Sequence, residues 1–336
     1  MRPQDANSSA GIRPAIRRTL ALGLALLIPG AAPAAHQEHA PPADQTLRVT
    51  TEVVNVYAIV SEKKKRLIPN LNREDFELTE DNVPQEIRYF SRETDTPLTL
   101  GILVDTSPSQ GRVLAIEKAE AKTFLHQVLR PKDLAFVLHF DLEVELLQDF
   151  TSDLRLLTRA IDETVINAGG RGVLPGPLPT STVGGTHLYD AVYLAANELM
   201  KNEVGRKVLI LLSDGEDQGS RVKLAEALEA AQKADVIIYS VAIIDRAFYG
   251  GGLGFGGDAV LKKLSEETGG RVIEVNRARD TGGAFQAIAD ELRTQYLLGY
   301  SPTNTQRDGS FRKIRVRVRN RDYKVQARRG YYAPTR

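Results

Sequence analysis

The 336-residue chain contains no cysteine and no tryptophan. Without cysteine it can form neither a disulfide scaffold nor a thiolate-bound zinc or iron–sulfur site. Its 44 basic and 43 acidic side chains leave a net charge of +1, which argues against a general nucleic-acid-binding protein. After the first 35 residues, no run of 18 consecutive apolar residues predicts a membrane-spanning helix. What remains is an ordinary globular composition, 42% apolar and 26% charged, in a chain long enough for one sizeable core and a smaller domain.

Residues 1–35 predict a signal peptide. Four arginines and one aspartate lie in residues 1–18, the apolar run Thr19–Ile28 follows, and small residues in an Ala-x-Ala pattern come next. This order is typical of a secretory leader, and ten apolar residues are too few to span a bilayer. We therefore expect an exported protein, periplasmic or secreted. An uncleaved anchor is the alternative, and Arg17-Arg18 leaves both general and twin-arginine export open. The polar, proline-containing residues 36–45 predict a linker.

Two outer segments of the chain have β character. In residues 301–334, apolar residues alternate with arginines over Ile314–Arg319, so one face of that strand needs an apolar partner. Residues 46–95 are rich in β-branched residues and are the obvious candidate. We expect these N- and C-terminal segments to pack together as one small accessory β module. The strands predicted in the first segment are Leu47–Val60, Phe76–Glu80 and Ile87–Phe90.

Residues 97–296 alternate between strand and helix patterns. Leu98–Val104 and Lys207–Leu212 are continuous apolar runs, as in strands that are buried on both faces. Such alternation predicts an α/β fold with a doubly wound, mostly parallel, Rossmann-like sheet covered by helices on both faces. Further strands are predicted at Leu134–Phe140, Val236–Ile244 and Arg271–Val275, and helices at 113–129, 153–166, 189–200, 222–234, 258–268 and 283–294.

Three loops of this domain carry clustered oxygen donors. Asp105, Ser107 and Ser109 follow the first buried strand at alternate positions, Thr186 comes just before a helix, and Asp214 follows the second buried strand. Ligands bind at the carboxyl ends of strands in doubly wound sheets. Carboxylates and hydroxyls suit Mg²⁺, Mn²⁺ or Ca²⁺ and are poor ligands for soft metals. The spacing therefore predicts a site for one of these divalent cations.

The pattern Asp-x-Ser-x-Ser, Gly-Gly-Thr and Ser-Asp-Gly, spread over residues 97–296, resembles von Willebrand factor A domains. The resemblance implies a metal-ion-dependent adhesion site in which Ser107, Ser109 and Thr186 contact the ion through their hydroxyls. Asp105 and Asp214 would bind it directly or through water, and an acidic side chain of a protein partner would complete the coordination. The wider order of export signal, β segment and A domain resembles exported bacterial "VWFA-related" proteins of the acidobacterial type.

The favoured functional hypothesis is an exported, non-enzymatic binding protein that captures a carboxylate of a protein partner through the cation. The first alternative is an envelope assembly or scaffold factor whose β module makes the contacts. The second is a metal-assisted or serine hydrolase that uses Ser107, His187 and Asp214. No Gly-x-Ser-x-Gly elbow surrounds Ser107, which disfavours a hydrolase.

The near-neutral net charge conceals an uneven distribution. Residues 306–336 hold eleven basic and two acidic side chains, whereas residues 35–305 hold 29 basic and 40 acidic ones. The basic segment is consistent with binding to anionic envelope polymers, lipid head groups or an acidic protein. Its strict alternation with apolar residues favours the simpler interpretation, a solvated face of a strand.

Five further features have modest predicted roles. The segments 169–184 and 250–257 are rich in glycine and predict surface loops, the first of them bordering the metal site. Glu216 and Asp217 are predicted to cap the helix that follows them. We expect His187 to be a packing or hydrogen-bonding residue.

Overall fold

The computed structural model of the chain describes residues 52–62, 66–92, 96–167, 185–243, 257–275 and 280–335. The predicted leader and linker, and most of the two glycine-rich segments, lie outside the described residues. The strands are β1 Val54–Glu62, β2 Phe76–Glu80, β3 Val83–Gln85, β4 Ile87–Arg92, β5 Leu98–Asp105, β6 Leu134–Phe140, β7 Val144–Thr151, β8 Arg206–Leu212, β9 Val236–Ile243, β10 Val272–Val275, β11 Tyr296–Tyr300, β12 Phe311–Val318, β13 Tyr323–Ala327 and β14 Gly330–Tyr332. The helices are α1 Leu114–Val128, α2 Leu154–Glu163, α3 Leu188–Leu194 with a π-helical continuation over Ala195–Met200, α4 Leu224–Lys233, α5 Gly257–Thr268 and α6 Thr281–Arg293.

The central sheet has six strands in the order β10-β9-β8-β5-β6-β7. All neighbours are parallel except β7, which runs antiparallel to β6. The chain starts at β5, winds outward through β6 and β7, and then returns to β8 before winding outward on the other side. The direction of winding therefore changes between β5 and β8, which is where doubly wound sheets bind their ligands. The predicted α/β fold class is confirmed.

Helices cover both faces of this sheet. Helices α1, α2 and α6 pack on one face, and α3, α4 and α5 pack on the other. Every residue of β5 and β8 is buried, which explains why both strands are apolar without alternation. On the first face, Phe124 of α1 and Phe285 of α6 pack with ring centroids 5.3 Å apart. None of the helices in the described part of the chain combines the length and the apolar character needed to cross a membrane.

Strand β7 is an element that the sequence did not predict. It forms one edge of the central sheet, most of its residues are half-buried or exposed, and its register with β6 shifts twice. An edge strand of this kind buries no regular face, so its sequence lacks the alternation by which strands are recognised.

The accessory β module consists of two antiparallel four-stranded sheets. Their strand orders are β13-β1-β11-β4 and β14-β12-β2-β3, so both sheets combine strands from the two ends of the chain. A shared apolar core, which includes Val56, Leu78 and Leu298, lies between them. The two-segment module is thus part of the confirmed fold class. Strand β11, which follows α6, also belongs to this module. The domain boundaries stay a prediction.

Candidate metal centre

The first and third oxygen-bearing loops lie side by side at the point where the winding direction changes. Asp105 is the last residue of β5, and Ser213 and Asp214 follow the end of β8. Strands β5 and β8 are paired as far as Val104 and Leu212, so the two loops leave the sheet together. The Ser213 hydroxyl donates a hydrogen bond to Asp105 Oδ2 at 2.7 Å, which links the loops directly.

The first loop turns tightly and gathers its polar groups. The backbone N–H of Ser107 donates to Asp105 Oδ1 at 2.9 Å, and a short 3₁₀ turn over Pro108–Gln110 follows. As a result, the hydroxyls of Ser107 and Ser109 lie 3.0 Å apart. Asp105 and Ser107 are buried, whereas Ser109 is half-buried. The alternate spacing of the sequence therefore places a carboxylate and two hydroxyls in one small region.

The second loop is held against the third by backbone hydrogen bonds. Thr186 and Gln218 exchange two of them, at 3.1 and 2.9 Å. Glycine at position 185 suits this close approach, because a Cβ atom there would lie 2.5 Å from Leu142 Cδ2 and 3.0 Å from the Gln218 carbonyl oxygen. The buried Thr186 is thereby anchored beside the loop that carries Asp214.

Asp141, which the sequence analysis did not single out, connects the remaining loops. Its Oδ2 accepts a hydrogen bond from the Thr106 hydroxyl at 2.7 Å, and its carbonyl oxygen accepts one from the backbone N–H of His187 at 2.7 Å. Asn167 donates to Oδ1 at 3.1 Å. The sequence could have indicated Asp141, because this residue directly follows the apolar strand β6 and so lies at the same edge of the sheet as the other loops. Each of the three loops that carry the five predicted ligands is thus linked to the other two by hydrogen bonds, directly or through Asp141. That the five side chains bind a metal stays a prediction.

Asp105 and Asp214 place two buried carboxyl groups close together. Asp105 is fully buried, and Asp214 is 2% exposed. Burial, together with the charge of Asp214, raises the pKa of Asp105 to about 7, although hydrogen bonds from Ser107 and Ser213 act in the opposite direction. A nearby cation reverses this effect because it favours the charged form of both carboxyls.

The five side chains fit a hard divalent cation. All of them offer oxygen, and three of the five, Ser107, Ser109 and Thr186, are neutral hydroxyls. In the described part of the chain, no three histidine, aspartate or glutamate side chains form a group that could hold a metal. An ion at this centre would therefore depend on the hydroxyls as well as on the two carboxylates.

One predicted role at the rim is wrong. Asp217 caps helix α3, which precedes it, rather than the helix that follows it. Its Oδ1 accepts hydrogen bonds from the Tyr189 backbone N–H at 3.1 Å and from the Ser220 hydroxyl at 2.5 Å. The reason is tertiary, because the pairing of Thr186 with Gln218 brings this loop to the start of α3.

Residues 177–287 match the family model of the von Willebrand factor type A domain. The chain contains a von Willebrand factor type A domain. The matched segment includes Thr186 and Asp214, and the loop that begins at Asp105 precedes it in the chain. The match therefore includes the second and third loops. The first loop lies outside the match, and the parallel pairing of β5 with β8 places it beside the third.

A relative of the chain is an uncharacterized protein of Borreliella burgdorferi, which is 21% identical over 228 residues. The alignment covers 66% of this chain and 62% of the relative, so the chain spans less than two thirds of that protein. Two solved structures are similar to part of the chain. Proximal thread matrix protein 1 of the mussel byssus, solved with zinc in its metal-ion-dependent adhesion site, has a TM-score of 0.46 and 15% identity over 60% of this chain and 50% of that one. A von Willebrand factor type A protein of Catenulispora acidiphila has a TM-score of 0.45 and 14% identity over 65% of this chain and 50% of that one.

Proposed function

We propose that the chain is an exported, non-enzymatic binding protein whose A domain uses a divalent cation to capture a carboxylate of a protein partner. The observation that carries the proposal is the pair of buried carboxyls, Asp105 and Asp214, at the point where the sheet changes its winding direction. Two mutually repelling buried acids are unfavourable in a protein that has no use for them, and a cation between them makes them favourable.

The residues that would hold the ion are those predicted from the sequence. Ser107, Ser109 and Thr186 would contribute hydroxyls, and Asp105 and Asp214 would bind directly or through water. Mg²⁺ is the favoured ion, with Mn²⁺ and Ca²⁺ as alternatives. Bound there, the ion supplies positive charge that attracts an acidic side chain. Ser109 is only half-buried, so this end of the centre is accessible to a partner.

The absence of enzymatic activity and the export of the chain are also part of this proposal. The Ser107 hydroxyl is hydrogen-bonded to Ser109, and within the described ranges no histidine hydrogen-bonds to Ser107. A serine hydrolase needs such a partner to activate its nucleophile. Export rests on residues 1–35, which predict a periplasmic or secreted protein.

Isothermal titration calorimetry with Mg²⁺ and Mn²⁺ tests the metal centre. We expect Asp105→Ala and Thr186→Ala to abolish binding while the far-UV circular dichroism spectrum stays unchanged. Matched controls are Asp149→Ala and Thr158→Ala, which remove the same groups in the edge strand and in α2, away from the centre. An Asp105→Ala variant with the affinity of the wild type would overturn the proposal.

A pull-down from envelope extract, with Mg²⁺ or with EDTA, tests the capture of a partner. Under the proposal, capture requires Mg²⁺ and is lost in the Asp105→Ala variant. Capture that survives EDTA would instead favour the envelope scaffold alternative, in which the β module makes the contacts. The exposed Arg315 and Arg317 of β12 would then be the first residues to test.

A further inference from the structure

Glu117 in helix α1 is a buried acid that the proposed metal centre does not use. Its side chain is completely buried, and neither carboxyl oxygen has a hydrogen-bond partner. Gln110, which is 1% exposed and lies in the turn before α1, also has an unpartnered carbonyl oxygen, Oε1. Buried polar groups are normally hydrogen-bonded, and buried charges are normally paired. The two unpartnered oxygens of Glu117 in particular require an explanation, because they belong to an acid.

The surroundings of Glu117 connect it to the metal centre. Burial raises the pKa of Glu117 well above its ordinary value, and the charges of Asp105 and Asp214 raise it further. Glu117 lies in the first turn of α1, the helix that follows the loop carrying Asp105, Ser107 and Ser109. The nearest basic residue along α1, Lys118, points elsewhere, because its Nζ donates to the carbonyl oxygens of Asp162 and Thr164 at 2.8 and 2.7 Å.

Direct coordination does not account for Glu117. Asp105, Asp214 and Glu117 do not converge as a three-carboxylate metal group, and no such group occurs among the residues described. An interaction at a distance remains, since charges attract more strongly through a protein interior than through water.

We infer that Glu117 is a buried counter-charge for the cation: it strengthens cation binding without contacting the ion. This inference rests on the proposed function. Without the ion the buried carboxyl keeps its proton, because burial raises its pKa. A bound cation favours the charged form, so Glu117 would release its proton as the ion binds, and the ion would be its compensating charge. Glu117 is accordingly a positioning residue for charge and not a ligand.

Calorimetric titrations of the full chain with Mg²⁺, Ca²⁺ and La³⁺ test this role. Glu117→Gln removes the charge and keeps the shape, and we expect it to weaken divalent binding by about tenfold or more, in the range seen for residues outside the ligand shell. Coulomb energy is proportional to the charge of the ion, so the loss for La³⁺ should exceed that for Ca²⁺. Glu120→Gln makes the same change at a less buried position of α1 and should leave all affinities unchanged.

The outcomes separate this inference from the proposed function. A wild-type chain that binds none of the three ions would overturn both. A wild-type chain that binds while Glu117→Gln binds equally well would overturn the inference alone. So would equal fold losses for Ca²⁺ and La³⁺, which indicate a distorted site and not a missing charge. Glu117→Met is also uncharged and should reproduce the losses of affinity. If both variants unfolded, the carboxyl would be needed for folding, and the inference would be overturned.

Discussion

Two buried glutamates of this chain, Glu80 in the β module and Glu117 in the A domain, have opposite surroundings. Glu80 is 2% exposed, and its Oε2 accepts hydrogen bonds from the hydroxyls of Tyr300 at 2.6 Å and Tyr331 at 2.9 Å. Its Oε1 lies 3.5 Å from the guanidinium of the buried Arg312. Both oxygens of Glu117 lack any such partner.

The difference teaches how each region handles a buried charge. Burial and the neighbouring Glu80 raise the pKa of Tyr300 and Tyr331, so both hydroxyls keep their protons and continue to donate. The β module thus balances its acid with protein groups alone and is complete as folded. In the A domain, both oxygens of Glu117 lack such partners, and under the proposed function a bound ion would balance this charge.

The largest expected effect comes from removing the charge of Glu80, which interacts with Tyr300, Tyr331 and Arg312. Glu80→Gln should lower the free energy of unfolding by about 3–5 kcal/mol, because it leaves Arg312 as an uncompensated buried charge. Urea denaturation followed by circular dichroism measures this. The control Glu77→Gln lies on the same strand but is exposed, and it should change little. A loss below about 1 kcal/mol for Glu80→Gln would contradict the idea that the cluster is balanced internally.

Removing the unbalanced acid should have the opposite sign. In EDTA, Glu117→Met is expected to raise the free energy of unfolding by about 1–3 kcal/mol, because an unsatisfied buried group is replaced by an apolar one of similar size. The measurement is the same urea titration on metal-free protein. A destabilised variant would mean that Glu117 has a favourable partner in the metal-free state, and the contrast with Glu80 would then fail.

The pH dependence of the metal-free protein should sharpen the comparison further. The pKa of Asp105 is raised from 3.8 to about 7, so between these values the folded state holds a proton that the unfolded state has released. Its contribution to stability is therefore lost as the pH rises from about 4 to 7, with a slope of at most ~1.4 kcal/mol per pH unit. Asp105→Asn should show a smaller slope in urea titrations at pH 5, 6 and 7. Identical slopes would be evidence against a buried, unbalanced Asp105.

The smallest effect is expected at an exposed ion pair. Arg159 and Glu163 of α2 are 2.9 Å apart, with side chains that are 78% and 50% exposed. Arg159→Ala should lower the free energy of unfolding by no more than about 0.5 kcal/mol, because water already solvates both charges. A loss comparable to that of Glu80→Gln would show that burial does not explain the difference between the exposed ion pair and the buried Glu80 cluster.

The sequence predicted much of the fold and of the candidate centre, but some residues were easier to recognise than others. Asp105, Ser107 and Ser109 were recognisable because a buried parallel strand is continuously apolar and its end is marked by the first polar residues. Glu117 was not, because it lies in a stretch of α1 with several charged residues that looks like a solvated face. The cap formed by Asp217 was assigned to the wrong helix, since neighbours along the chain are not always neighbours in space.

By itself, the sequence determined the α/β class, the two-part β module and the positions of the oxygen donors, because these follow from local periodicity and from the chemistry of residue types. The tertiary structure decided which charges are compensated. Glu80 and Arg312 are 232 residues apart in the chain, and Asp105 and Ser213 are 108 apart. Whether an acid is paired or left for an ion depends on partners that only the folded chain brings within a few ångströms, and on the removal of water that makes an unpaired charge unfavourable.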